Sequence, residues 1–430
     1  MVIIVTDLVE EVSLGSEQRA VFELAEKTHE SIFITGGAGT GKSLLLKYFV
    51  LNSNKRCAVV APTGVAALNA CGMTIHSFFK LDFTIQDCKN IYVGSELKHL
   101  LNSIDVLIID EISMVCVDIM EVINKKLQVA RENLEPFGGV QLLLFGDLFQ
   151  LSPVIKDKDS YRYLDDIYGS VFFFDSPSIK KLNLKIIDLK ENFRQRDDAF
   201  VSILNAIRKG ERVLPSIIEL NKRASIEIPS SETIILSGRN DTVSKINHNK
   251  LAKLGGLEFV YEASVVGDFK ESAFPTEKAL KLKVGAQVMM VKNDVTGKKR
   301  WVNGTIGVVE SLNENFIEVK INGVIHALDR VIWENYQYSY DVSAKELSKD
   351  VIGMYTQFPL RLAWAITIHK SQGQTLDRVI VDLKDGAFSS GQAYVALSRC
   401  RNLDKIYLLS PLKYSDILVN NKIVEYMRNI

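Results

Sequence analysis

One stretch constrains this chain more than any other: Gly36-Gly-Ala-Gly-Thr-Gly-Lys-Ser43. Its spacing is G-x-x-x-x-G-K-[ST], that of a phosphate-binding loop. Ser31-Ile-Phe-Ile-Thr35 before it reads as a short buried strand, and Leu44 to Val50 after it reads as the start of a helix. That is the context the motif needs. The glycines let consecutive backbone N–H groups turn inward around phosphates, and the helix N-terminus adds partial positive charge. Nucleotide binding is therefore assigned to Gly36, Gly37, Ala38, Gly39, Thr40, Gly41, Lys42 and Ser43. Lys42 is expected to reach the β- and γ-phosphates and Ser43 to hold magnesium.

The rest of the chain fits an α/β protein of several domains. Its 430 residues are 47% apolar, enough for two to four cores. From 31 to about 150, apolar strands alternate with polar or helical stretches: Ser31–Thr35, Arg56–Ala61, Ile104–Ile109 and Val140–Phe145. A parallel sheet covered on both faces reads this way. A second α/β region is expected from near Lys185, with strands Ile186–Leu189, Thr233–Leu236, Ala365–Ile368, Arg378–Val381 and Lys405–Leu409. Helices are expected over Asp198–Lys209 and Ser390–Arg399. Between Lys281 and Trp333 the runs become short and β-rich, broken by Asn303-Gly304, Asn313–Asn315 and Asn322-Gly323. Those are hairpin signals, and they suggest a small β-barrel inserted into the second region. Residues 70–103 form a smaller interruption in the first.

Charge and targeting signals exclude little. The chain carries 52 basic and 52 acidic residues, so net charge gives no sign of a polyanion partner. Local runs do, from Lys292 to Arg300 and from Arg361 to Arg401. No apolar run reaches the about 20 residues of a membrane helix. The start, Met1–Leu8, is apolar but short, and Asp7, Glu10 and Glu11 make it unlike a secretory or transit signal. Cys57, Cys71, Cys88, Cys116 and Cys400 lie far apart, which fits a reducing compartment rather than a disulfide framework. In a prokaryote the expected location is cytoplasmic, at the nucleoid.

A second set of residues points to hydrolysis. Ile104-Asp-Val-Leu-Ile-Ile-Asp110-Glu111 is an apolar strand ending in two carboxylates, where an α/β sheet presents its ligand crevice. Asp110 fits a magnesium contact, and Glu111 fits the base that activates the attacking water. Gln150, in Gly146-Asp-Leu-Phe-Gln150, is placed to meet the γ-phosphate or that water. Gln18 precedes the first helix and fits an amide that reads adenine. Hydrolysis also needs positive charge on the phosphoryl oxygens. Arg194 and Arg399 are the candidates, both in the second α/β region. If both reach the nucleotide, it must sit between the two regions, and ATP must draw them together.

Taken in order, these motifs resemble a superfamily 1B helicase, and within it the Pif (petite-integration-frequency) family of 5′-to-3′ DNA helicases. Leu14–Gln18 resembles the glutamine motif, and Gly36–Ser43 and Asp110–Met114 resemble motifs I and II. Ala61–Ala67 with Thr74–Phe78 resembles the strand-contacting motif Ia region, Gly146–Pro153 motif III and Glu191–Arg194 motif IV. Ala365–Gly373 and Tyr394–Arg399 resemble motifs V and VI. Glu135–Gln141 looks like part of the family's own signature region, and Leu282–Met290 with Val302–Gly304 like its inserted SH3-like barrel. Ser152 stands where the family usually has another proline, and the length is that expected of a bare motor core without the long extensions of many eukaryotic members.

The resemblance implies an α/β fold with two RecA-like P-loop NTPase motor domains, a small wedge insertion and an inserted SH3-like β-barrel. The expected boundaries are 1–185 for the first RecA-like domain (1A), with 70–103 holding a candidate 1B wedge. Residues 186–280 and 351–430 form the second (2A), and 281–350 the barrel (2B). It implies ATP and Mg2+ as cofactors. The expected partners are single-stranded and tailed duplex DNA, and by family membership G-quadruplexes and RNA–DNA hybrids. The protein is expected to be a monomer in solution, with roles in replication, repair, recombination or telomere maintenance.

A single strand must be held across both motor domains, and its phosphates suit hydroxyls, amides and helix N-termini. Thr63, Gly64, His76 and Ser77 would supply these from the first domain, and Thr367, His369, Lys370 and Ser371 from the second. Phe78, Phe79 or Trp364 could stack on bases, although core packing is the better reading for Trp364. Gln372 and Gly373 are expected to face the nucleotide and link the two sites. Lys292, Lys298, Lys299 and Arg300 either brace the emerging strand or form a solvated hairpin tip. The competing functions are a DNA-stimulated ATPase that translocates or remodels without separating strands, a recombination-type D helicase, and a non-enzymatic ATP-gated DNA-binding module.

Overall fold

The computed structural model describes residues 14–428 apart from 83–84, 87–90, 156, 196, 228–232, 297, 299 and 342–345. Met1–Leu8, Glu10, Glu11, Cys88 and Lys299 lie outside the described residues. The first lobe is a six-stranded sheet: β1 (Ile32–Gly36), β2 (Cys57–Ala61), β3 (Met73–Thr74), β4 (Val106–Ile109), β5 (Gln141–Phe145) and β6 (Lys185–Leu189). The order is β3-β2-β4-β5-β1-β6, and every pair is parallel. Strand period 2 sends alternate side chains to opposite faces. Phe33, Leu107, Leu142 and Leu144 enter one core, while Ile32, Ile34, Ile108 and Leu143 enter another. Both faces are covered, which is why these strands are apolar throughout.

β6 corrects an expectation. Ile186–Leu189 was assigned to the second α/β region, but it pairs with β1 over Ile32–Gly36. It is an edge strand, half-buried along most of its length, and edge strands read alike in either sheet. The second lobe begins after it, with the helix Asp198–Lys209 and β7 (Ile234–Ser237).

The chain then leaves the lobe through β8 (Phe259–Glu262), β9 (Ser264–Gly267), β10 (Ala279–Leu282), β11 (Gln287–Met290), β12 (Ile306–Leu312), β13 (Ile317–Ile321) and β14 (Val324–Leu328). β15 (Val331–Asp341), β16 (Glu346–Gln357) and β17 (Leu360–Leu362) complete the excursion. It returns as β18 (Ala365–Thr367), β19 (Val379–Asp382) and β20 (Ile406–Leu408), which join β7 in a parallel sheet, β18-β7-β19-β20. The β-rich insertion therefore spans 259–362 rather than 281–350. It holds a five-stranded antiparallel sheet, β14-β13-β12-β11-β17, and a three-stranded one, β15-β16-β9. Val288, Val309, Ile317, Val319 and Trp301 share its core, with Trp364 packed against them.

The tail also departs from expectation. The helix Asn421–Arg428 follows the second lobe in sequence, yet Ile423 is buried in the first-lobe core.

Candidate nucleotide seam and nucleic-acid groove

The phosphate loop joins β1 to the helix Lys42–Asn52. Gly41 caps that helix in the left-handed region, at φ +77°. That φ favours glycine, and a Cβ there would lie 2.2 Å from Gln18 Nε2 and displace that amide. Gln18 is buried, and its Nε2 donates to the carbonyls of Thr40 (3.2 Å) and Gly41 (3.3 Å) while its Oε1 accepts from Gly15 N (3.1 Å). The amide expected to read adenine is thus engaged in holding the loop. Lys42 Nζ donates to the carbonyls of Gly36 (2.6 Å) and Gly37 (3.0 Å). Burial holds the Lys42 ammonium below its usual pKa, against the opposing pull of Asp147.

Around this loop lies a cavity of about 620 Å³. Ala38, Gly39, Gly41, Lys42 and Ser43 line it from the phosphate loop, Asp110 and Glu111 from the end of β4, and Gln150 from the loop after β5. Phe193, Arg194, Gly373, Thr375, Arg399, Arg401 and Asn402 complete the wall. Both expected arginines therefore line the same cavity as the phosphate loop. Arg399 is fully buried, donating from Nε to Val395 O (2.7 Å) and from Nη1 to the carbonyls of Ser371 (3.0 Å) and Gln374 (3.2 Å). Burial, with Arg194 nearby, pulls its pKa down to about 9. Arg194 Nη1 donates to Ser398 O (3.2 Å), which puts the two cations side by side.

The carboxylates show the opposite shift. Burial pushes Asp110 up to about 6. Burial and then the charge of Asp110 push Glu111 up to about 7, against the pull of Lys42 and Arg399. Gln372 Nε2 donates to Glu111 Oε2 (2.9 Å) and lies 3.4 Å from Gln150 Oε1, so the motif V turn is tied to the end of β4 and to the loop after β5. A buried carboxylate with a raised pKa gains from a cation, and Ser43 lines the same cavity as Asp110. Those two residues fit a magnesium site. Lys42, Arg194 and Arg399 fit the phosphates.

Several contacts at this seam were not anticipated. The Ala38 N–H donates to the Tyr394 hydroxyl (2.7 Å), across 356 residues of sequence. Asn192 Nδ2 donates to Ala38 O (3.1 Å), and Phe193 N donates to Gly39 O (2.8 Å). Asp147 forms a buried ion pair with Arg208 at 2.8 Å. Tyr394, Asn192 and Phe193 all stand inside recognised motifs, so their motif membership was the available signal.

A second cavity, about 580 Å³, lies between the first lobe and the β-rich insertion. Thr63, Gly64, His76, Ser77 and Phe78 line one side, and Asp268, Phe269, Lys270, Asn335 and Ile352 line the other. Thr63 caps the helix Gly64–Asn69, its side chain accepting from Ala66 N (3.2 Å). Burial lowers the His76 pKa, which favours a neutral imidazole. Phe78 is a correction: it is buried in the first-lobe core, with its ring edge-on to Phe79 at 4.9 Å, and offers little face for stacking. Phe79 is fully buried as well.

The second-lobe set also divides. Ser371 is fully buried and its hydroxyl donates to Ile368 O (2.8 Å); Thr367 is buried and its Oγ1 accepts from Lys370 N (3.3 Å). Those two brace the turn, and His369 and Lys370 are the more exposed pair. None of the four lines the groove above. Arg300 forks onto Asp294 (2.8 and 2.9 Å), and Lys292 Nζ donates to Ile332 O (2.7 Å), so both are engaged within the insertion. Lys298 is exposed.

Comparisons with known proteins identify the family. Residues 13–215 match the family described as PIF1-like helicase, and residues 269–312 match the DNA helicase Pif1 2B domain. The Danio rerio ATP-dependent DNA helicase PIF1 is 36% identical over 92% of this chain, which spans 61% of that protein's length. The structure of Bacteroides sp. Pif1 in complex with ADP-AlF4 is 38% identical, covers 97% of each chain and superposes with a TM-score of 0.89. Bacteroides Pif1 bound to single-stranded DNA is 39% identical over 97% of each chain, with a TM-score of 0.70. Motifs, seam and likeness over nearly the whole length converge, and the chain belongs to the Pif1-like family of superfamily 1, a family of ATP-dependent DNA helicases.

Proposed function

We propose that the protein hydrolyses ATP with magnesium, moves 5′ to 3′ along single-stranded DNA, and unwinds tailed duplexes. One observation carries the reading: Arg194 and Arg399, from beyond the first sheet, line the same cavity as Lys42, Asp110 and Glu111. Positive charge from one lobe and acid–base groups from the other meet only when the lobes are together. Glu111 takes the proton of the attacking water, and its raised pKa suits a base working near neutral pH. Gln150 and Gln372 orient that water, and the two arginines hold the phosphoryl oxygens. Ser43 and Asp110 would hold magnesium, which would supply charge neutralisation for the phosphates.

The domain reading follows the strand pairing. 1A comprises residues up to about 189, with a 1B wedge between about 80 and 103, and 2A comprises roughly 190–258 and 363–420. The insertion, 259–362, is 2B, and its five-stranded sheet is the SH3-like barrel. The strand passes through the groove of Thr63, His76 and Ser77, with the 2B residues Lys270 and Asn335 opposite, and reaches His369 and Lys370 on 2A. The DNA-bound relative supports this partner. G-quadruplexes and RNA–DNA hybrids are further substrates under the same reading.

Unwinding of matched 5′-tailed and 3′-tailed duplexes with ATP tests activity and direction together. Opening of the 5′-tailed substrate alone is the expected result. ATP turnover with neither duplex opened would leave a translocase without strand separation.

A further inference from the structure

Residues 147–151 belong to the first lobe by chain order, yet the second lobe grips them. Leu151 is fully buried within the core built by Phe200, Leu204, Ile234 and Leu236. Gly391, at φ +79°, caps the motif VI helix against the same loop; a Cβ there would lie 2.2 Å from Gln150 O. The third contact is ionic. Arg208, on the helix Asp198–Lys209, donates from Nε to both oxygens of Asp147 at 3.1 Å and from Nη2 to Oδ1 at 2.8 Å. Its side chain is 4% exposed and that of Asp147 0%. The guanidinium also lies 4.8 Å from the centre of the Phe149 ring.

Gln150 sits among these anchors. Its Nε2 is 3.4 Å from Asp147 Oδ2, and its Oε1 is 3.4 Å from Gln372 Nε2. Stability is a poor account of such a pair. Burying both charges costs nearly as much as their attraction returns, and a well-packed apolar pair of similar volume serves a core as well or better. A forked guanidinium–carboxylate contact fixes orientation instead, which neither lysine nor an apolar side chain reproduces.

We propose that Arg208 is a positioning residue for ATP hydrolysis: by clamping Asp147 from the second lobe, it sets the loop that carries Gln150, so the glutamine faces the phosphoryl group only when the lobes are together. This rests on the ATPase reading above. Arg208 itself does not line the cavity.

The test uses the whole chain with saturating single-stranded DNA. Asp147→Leu with Arg208→Met replaces the pair by apolar side chains, and Arg208→Lys keeps the charge without the fork. The expected result is a double variant that still folds, melting somewhat lower because Asp147→Leu also removes the acceptor of the Phe149 backbone N–H (3.2 Å). Its kcat falls about tenfold or more while KM for ATP moves less than about threefold. Arg208→Lys lowers kcat in the same sense. After Gln150→Ala it adds almost nothing, because both changes remove one interaction. A folded double variant with wild-type kcat would overturn the proposal. So would an Arg208→Lys loss that adds in full to that of Gln150→Ala. Should the double variant fail to fold, the Arg208→Lys and Gln150→Ala cycle decides alone. A wild type without ATPase activity would end the functional reading and this inference together, whereas an active wild type with indifferent variants ends the inference only.

Discussion

The nucleotide seam and the groove are cavities of similar size, about 620 and 580 Å³, built on different principles. The seam concentrates charge: Lys42, Arg194 and Arg399 oppose Asp110 and Glu111, and burial shifts the pKa of each of them. The groove is lined by a histidine whose pKa burial lowers, by hydroxyls and by helix starts, with Lys80 and Lys270 balanced by Glu96 and Asp268. Hydrolysis needs strong groups at fixed positions in a site shielded from water. A translocating strand needs several modest contacts that can release in turn. Substitutions at the seam should therefore have large effects on turnover, and substitutions in the groove small effects on affinity.

Lys42→Ala should give the largest change, with ATP turnover falling about 10³-fold or more in a steady-state assay. Glu111→Gln should also lose about 10³-fold in kcat while ATP still binds. Normal turnover in that variant would remove Glu111 as the base. Arg399→Ala should lose roughly 10²- to 10³-fold in kcat, and much less in nucleotide affinity. Equal losses would point to its bonds with the Ser371 and Gln374 carbonyls as its main role.

A pH profile sharpens the contrast. Burial raises Glu111 to about 7, and a base works only when ionised. kcat/KM should rise about tenfold per pH unit below pH 7 and level off above it. A flat profile from pH 6 to 8 would contradict the assignment.

The groove should show the smallest effects. Thr63→Ala and His76→Ala are each expected to weaken oligonucleotide binding about two- to tenfold, the value of one ordinary hydrogen bond. A loss as large as those at the seam would break the comparison.

The same contrast explains what could be read in the sequence. Seam residues lie in contiguous motifs, because a loop, a strand end or one helix turn must deliver them. Lys42, Asp110, Glu111, Arg194, Arg399 and Gln372 were all legible, and the structure brings them together. The Asp147–Arg208 pair was not, since nothing local in a helical arginine names a carboxylate 61 residues away. The far wall of the groove was hidden for the same reason. Asp268, Lys270 and Asn335 come from an insertion whose first strands, β8 and β9, are four residues each, and β9 pairs with β16, far along the chain. Phe78 and Ser371 had the right residue type in the right motif, but burial gives them internal partners. β6 failed because an edge strand does not encode which sheet it joins.

The central claim is that the seam and the groove work as one machine. The most direct test is steady-state ATP turnover by the whole chain, with and without a single-stranded DNA oligonucleotide, at saturating ATP and magnesium. The account predicts turnover that rises about tenfold or more with the oligonucleotide. A rate indifferent to the oligonucleotide, at concentrations where binding is independently measured, would contradict it.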